Sequence, residues 1–182
     1  RSSWSYNSLK KELGNVAVLN VAVDNTDYLK SVKATLANFK LIFSGHEKFD
    51  EMAETLDTKT SEVKAKAIES GFKSLILMTN GDDISGYGIG SRFGFIHNEL
   101  SFQAASFEYV QTLNPDVIFV VDRSQATGGE ASIGVLDNDL VKSTNAYKNS
   151  RIINLDSVSW YIVSGGYQST LTMINDADKL FS

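Results

Sequence analysis

The spacing of apolar residues changes character at Gly71. Before it, Tyr28, Leu29, Val32, Leu36, Phe39, Ile42 and Phe43 recur every three or four positions, which predicts one helical stripe with Thr26 or Asp27 as its N-cap. Gly45 interrupts that stripe. A second helix is predicted over residues 47–70, with Phe49, Met52, Leu56, Val63 and Ala67 on its apolar side. Two long helices joined at one glycine are expected to form a rigid spine. Residues 16–22 ahead of them are β-prone and run into a turn at Asp24-Asn25.

After Gly71 the period shortens. Residues 74–78, 117–121 and 152–155 are short runs that are apolar on both faces, a pattern that suits parallel strands covered on either side by helices. Helices are predicted between them, over residues 91–100, 107–113 and 132–141. A last helix starts near Trp160 or Gly166 and runs to the end. Asn114-Pro115-Asp116 marks a helix stop and strand entry. The alternation predicts an α/β fold, a doubly wound, mainly parallel lobe over residues 71–182, preceded by a long helix. No internal repeat and no low-complexity tract interrupts it.

Composition narrows the function classes. The chain has 182 residues, 42% hydrophobic and 21% charged, with a formal net charge of −5. The acidic balance argues against a nucleic-acid partner, which usually meets a basic face. The apolar runs fall well short of the roughly 20 residues a membrane span requires. Without cysteine there is no disulfide, no thiolate nucleophile and no thiolate metal site. The opening Arg1-Ser-Ser-Trp-Ser-Tyr reads like the interior of a protein, so the chain is expected to be part of a longer one, with any export signal upstream.

In a parallel sheet the loops leaving the strand carboxyl ends share one rim, the usual place for a ligand. Here that rim gathers Tyr87, Arg92, Arg123, Trp160 and Tyr161. Arginine offers a planar, permanently charged fork and the aromatics offer stacking faces, so the set suits a flat, oxygen-rich anion. Each residue also has a structural reading. Arg92 could be a surface ion pair, Arg123 could pair with adjacent Asp122, and Trp160 and Tyr161 could be core at a helix start. Asp82-Asp83 reads as a solvated turn, and His46 and His97 as structural. The glycines at 88, 90 and 94 outline a loop like those that hold dinucleotides, but no acidic residue follows in the ribose-binding position. No nucleophile–base–acid set stands out.

Several motifs occur together and in order: Met78-Thr-Asn, Ile84-Ser-Gly-Tyr-Gly-Ile-Gly-Ser-Arg-Phe-Gly-Phe-Ile-His97, Asn114-Pro-Asp-Val-Ile-Phe-Val-Val-Asp-Arg123, Leu136-Asp-Asn-Asp-Leu-Val141, and Ile153-Asn-Leu-Asp followed by Trp160-Tyr161 and Ser164-Gly-Gly166. They resemble the ferric-siderophore substrate-binding proteins of bacterial ABC importers, most of all those that take catecholates. That resemblance implies two α/β lobes joined by a long helix, with the ligand between them. Residues 1–25 then look like the remnant of the first lobe, 26–70 like the connecting helix and the one after it, and 71–182 like the complete C-terminal lobe. It implies a non-enzymatic module without a resident cofactor, whose ligand is an Fe3+–siderophore complex. Arg92 and Arg123 become two of three arginines facing the anion, with Arg1 at the third position. Glu130 becomes a candidate contact with an ABC permease. The protein is expected to act as a monomer on the periplasmic or extracellular face of the cell membrane, held by a lipid anchor outside this chain.

The same resemblance speaks against a protein–iron bond. The loop that carries a metal-binding histidine in some relatives is short here, at residues 101–106. The tyrosine position falls near Ser159, and Ser157 departs from the usual Asp-Pro. The alternative from another class is a doubly wound enzyme that binds a nucleotide or phosphorylated metabolite at residues 86–94.

Overall fold

The structure is a computed structural model that describes residues 3–104 and 114–182, with helix α1 over Ser3–Leu13. Arg1 and the helix predicted over 107–113 lie outside the described residues. At its centre is a five-stranded sheet. Strand β1 (Lys73–Asn80) lies parallel to β4 (Val117–Asp122), which lies parallel to β5 (Ile152–Asn154). The other edge of β1 is shared by β2 (Asp83–Tyr87), antiparallel along its second half, and by the two-residue β3 (Gln103–Ala104), parallel at its start.

Both faces of the sheet are covered, as the doubly apolar strands require. On one side Ile76, Val117, Phe119 and Val121 pack against helices α2 (Tyr28–Ile42), α3 (Lys48–Ser70) and the C-terminal helix, through residues such as Val32, Leu56, Val63, Met173 and Ile174. On the other, Leu75, Leu77, Ile118 and Val120 meet Leu136, Val141 and Ala146. Alternate residues of β1 and β4 thus serve opposite cores, which is why neither strand shows polar alternation.

The helices depart from the expected spine. Lys33 pairs with Asp57 at 2.8 Å and Lys40 pairs with Asp50, so residue numbers fall on α2 as they rise on α3. The two helices therefore form an antiparallel hairpin. Ser44 (φ 57°) and Gly45 (φ 75°) are both left-handed at the bend, a conformation glycine adopts without steric cost. Reversal lets both apolar stripes enter one core, whereas a straight spine would leave one stripe in water.

Four further expectations need correction. Residues 17–24 form no strand; Leu19 and Val21 are exposed, and no described strand lies alongside to satisfy their backbone groups. Residues 84–86, expected as open loop, belong to β2, because a tight turn at Gly81-Asp82 suffices for antiparallel pairing. The helix expected over 91–100 shortens to α4 (Phe95–Asn98). The one expected over 132–141 breaks into a 3-10 turn (Ile133–Leu136) and a short helix (Asp139–Lys142), because the Asn138 side chain accepts from Val141 N and caps a new start.

The start of α2 is fastened to the lobe at several points. Asp27 occupies the N-cap position without a side-chain cap bond; instead Glu99 Oε1 accepts from Leu29 N at 2.9 Å. Tyr28, buried edge-on against Phe95, accepts from Gly165 N at 2.7 Å, and Asn98 donates to Asn25 O.

Candidate functional site

Three segments build the rim. The first is the connection from β2 through Gly88 and Gly90 to α4, which carries Arg92. The second is the end of β4, where Asp122 caps a four-residue helix, α5 (Arg123–Ala126), by accepting from Gln125 N at 3.1 Å. The third follows β5: a single π-type turn over Val158–Ile162, closed by Val163 N donating to Val158 O at 2.9 Å. Such turns place side chains and carbonyls off the ordinary helical pattern and are frequent at functional sites.

Both arginines converge on Tyr161. Arg92 Nη2 donates to the Tyr161 carbonyl oxygen at 2.6 Å, and its guanidinium carbon stands 4.4 Å from the tyrosine ring centre. Arg123 Nε donates to the Tyr161 hydroxyl at 2.7 Å, with its guanidinium carbon 5.7 Å from the same ring. Stacking on the aromatic face is favourable for the Arg92 cation, whereas Arg123 sits at the hydroxyl edge of the ring. Among the described residues neither arginine forms an ion pair with a carboxylate.

Asp122, the expected partner of Arg123, is engaged elsewhere. Its carboxylate accepts from Gln125 N, from Ser132 N at 2.6 Å and from Ser132 Oγ at 2.8 Å. Burial alone would raise its pKa, but the bonds from Gln125, Ser132 and Ser124 outweigh it and hold the group below the ordinary aspartate value. Ser157 Oγ accepts from Asp122 N at 3.0 Å, tying the end of β4 to the π-turn. The segment carrying Arg123 is thereby tied to the turn that carries Tyr161.

A crevice of about 750 Å3 opens beside Arg92 and Tyr161, in the range typical of small-molecule sites; Arg123 is not among its lining residues and reaches it only through Tyr161. Arg92, Tyr161, Ile162 and Ser164 line one wall, while Leu19, Val21 and Asn25 stand on the other. Trp160 lies beneath rather than on the rim. It is 2% exposed, meets Phe95 edge-on and donates from Nε1 to Asp176 Oδ2 at 2.9 Å, so its ring is core and closes the crevice floor. Tyr87 is half-buried against Phe93 (ring centres 4.7 Å apart) and does not line the crevice. Glu130 is exposed in the loop after α5.

The sequence reading missed what supports the site. Asp176 receives Trp160 Nε1, Asp156 N (2.7 Å) and Lys179 Nζ (2.5 Å) while 2% exposed. A carboxylate inside the apolar stripe Met173, Ile174 and Ala177 was the available signal. The facing wall at 18–25 was hidden because it has no regular structure.

The glycine-rich loop also differs from a dinucleotide cradle. It leaves an antiparallel strand rather than a parallel one and enters a helix of only four residues. Among the described residues no group of three or more His, Asp or Glu could hold a metal ion, and no helix is long and apolar enough to cross a membrane.

A periplasmic binding protein family model matches residues 7–158. The chain belongs to that family. Within it, the chain is 34% identical to the petrobactin-binding protein YclQ of Bacillus subtilis, over an alignment that covers 97% of this chain and 59% of the relative. The crystal structure of that protein superposes with a TM-score of 0.87 at 31% identity, covering 97% of this chain and 67% of the other. The periplasmic catecholate-siderophore binding protein VctP of Vibrio cholerae gives a TM-score of 0.88 at 28% identity, covering 98% and 69%. The chain thus spans a little over half the length of the curated relatives it matches. Family members and relatives are substrate-binding proteins, and the α/β architecture with a mostly parallel sheet matches theirs.

Proposed function

We propose that the rim binds a ferric catecholate siderophore and that the protein delivers it to an ABC permease for iron uptake. One observation carries the reading: two guanidiniums without a carboxylate partner among the described residues meet on one tyrosine, which lines the crevice together with Arg92. A tris-catecholate ferric complex is a trianion with aromatic faces, and arginine forks form strong charge-assisted hydrogen bonds to such oxygens. The relatives named for petrobactin and for catecholate siderophores support the same chemistry.

On this reading the protein is a carrier rather than an enzyme, with iron entering as cargo inside its chelator and no resident cofactor. It acts as a monomer on the outer face of the cell membrane, held there by a lipid anchor outside this chain. Residues 1–25 belong to a first lobe, 26–70 connect, and 71–182 form the second lobe. Arg1 supplies a third cation to the ligand, and Glu130 meets the permease. Ligand contact at the second lobe falls to Arg92, Arg123 and the Tyr161 ring.

The test is fluorescence titration with ferric enterobactin and ferric petrobactin. Replacing both arginines with alanine should weaken binding by about 10- to 100-fold per arginine, the range for hydrogen bonds to charged groups. Unchanged affinity defeats the assignment. A dinucleotide that stabilises the protein against heat, with no stabilisation by either ferric complex, would favour nucleotide binding instead.

A further inference from the structure

We infer that Tyr161 is a positioning residue: it sets the two arginine forks at a fixed separation and angle before ligand arrives, rather than contacting the ligand through its hydroxyl. The inference rests on the siderophore reading above. Its basis is that one residue is bonded to both cations through different atoms. The backbone carbonyl takes Arg92 Nη2 at 2.6 Å, and the phenolic oxygen takes Arg123 Nε at 2.7 Å.

The geometry of each bond matters. Arg123 is held through Nε, and among the described residues neither terminal Nη group has a partner, which leaves a two-pronged donor pair for the ligand. Arg92 is held through one Nη2 hydrogen and by its stack on the ring at 4.4 Å, which fixes the guanidinium plane. The tyrosine itself cannot drift. It sits in the π-turn, which is anchored by Ser159 N donating to Asp156 Oδ1 at 2.8 Å and by neighbouring Trp160 on buried Asp176. Two like charges side by side would otherwise splay apart and lose rotamer freedom only on binding, a cost that preorganisation removes.

The inference separates Tyr161 from the arginines experimentally. In the full chain without ligand, the Arg123 Nε–H proton should give a slowly exchanging NMR signal that Tyr161→Phe abolishes while Arg92→Ala leaves it in place. Titrations with ferric enterobactin and ferric petrobactin then form a double-mutant cycle. Tyr161→Phe should weaken binding about tenfold in the parent background and have no effect once Arg123 is alanine. Equal loss in both backgrounds would mean that the hydroxyl touches the ligand, and would overturn the inference while leaving the siderophore reading intact. Fast-exchanging Arg123 Nε–H in the parent would overturn it as well. Binding of neither ferric complex by the parent would overturn the siderophore reading and the inference with it. Circular-dichroism melts of each variant guard against misfolding; Tyr161→Phe should melt within about 2 °C of the parent.

Discussion

Asp176→Ala should loosen the floor of the crevice more than any surface change. The carboxylate is 2% exposed and accepts three bonds, from Trp160 Nε1, Asp156 N and Lys179 Nζ. Removing it strands the indole N–H in a dry site at about 1–3 kcal/mol. The Asp156 amide loses its partner too, but Asp156 is exposed and water can replace much of that bond. Lys179 is 58% exposed and returns to solvent at little cost. The sum is about 2–4 kcal/mol, which for a chain of this size lowers the melting temperature by about 5–15 °C. Asp176→Asn keeps one oxygen for the indole but turns an amide toward Lys179, so it should fall between parent and alanine. Thermal melts measure the effect, and Trp160 emission in a Trp4→Phe background should shift to the red. Asp178→Ala, which breaks a half-exposed pair with Lys66, is the control and should cost under about 1 kcal/mol. If Asp176→Ala melts within about 1 °C of the parent with unchanged emission, the buried bonds do not hold the turn.

Gly165→Ala should cost about 1–3 kcal/mol by urea denaturation, because φ is +96° and a Cβ would lie 2.8 Å from stiff Val23 Cγ1; Val23→Ala should recover only the steric part. His97 is buried, which lowers its pKa despite a bond to Phe102 O at 3.1 Å. Below about pH 6.5 the unfolded chain therefore binds a proton that the folded chain resists, so stability should fall as pH drops from 6.5 toward the folded pKa. Urea midpoints at pH 7.5 and 5.5 should differ in the parent and differ less in His97→Gln. Asp122, held below the ordinary aspartate value, contributes stability above about pH 3.8 that is lost on further acidification; Asp122→Asn should flatten the acid limb of a pH–stability profile.

Much of this molecule could be read from its residues, and for physical reasons. Residues 74–78, 117–121 and 152–155 declared themselves because strands buried on both faces must be apolar throughout. Arg123 was placed by the rule that parallel strands end together; Arg92 leaves antiparallel β2 and meets the same tyrosine by the course of its own loop. Three of the failures share a cause: each depended on a partner outside its own segment. Strand β2 is specified by pairing with β1, not by its own Ile-Ser-Gly-Tyr pattern. The hairpin of α2 and α3 is specified by a common core that neither stripe reveals alone. Trp160 became floor because Asp176, sixteen residues away, receives its N–H.

The fastening of Tyr28 and its neighbours has a mechanical side. Glu99, Asn98 and Gly165 grip the chain between Asn25 and Leu29, and opening that grip means breaking three hydrogen bonds and exposing a buried ring. Just upstream, residues 17–24 hold no ladder and show much of their apolar surface to solvent. Bending is cheapest where least must be broken. Any bending of the chain ahead of α2 is therefore expected first among residues 17–24, which stand across the crevice from Arg92 and Tyr161.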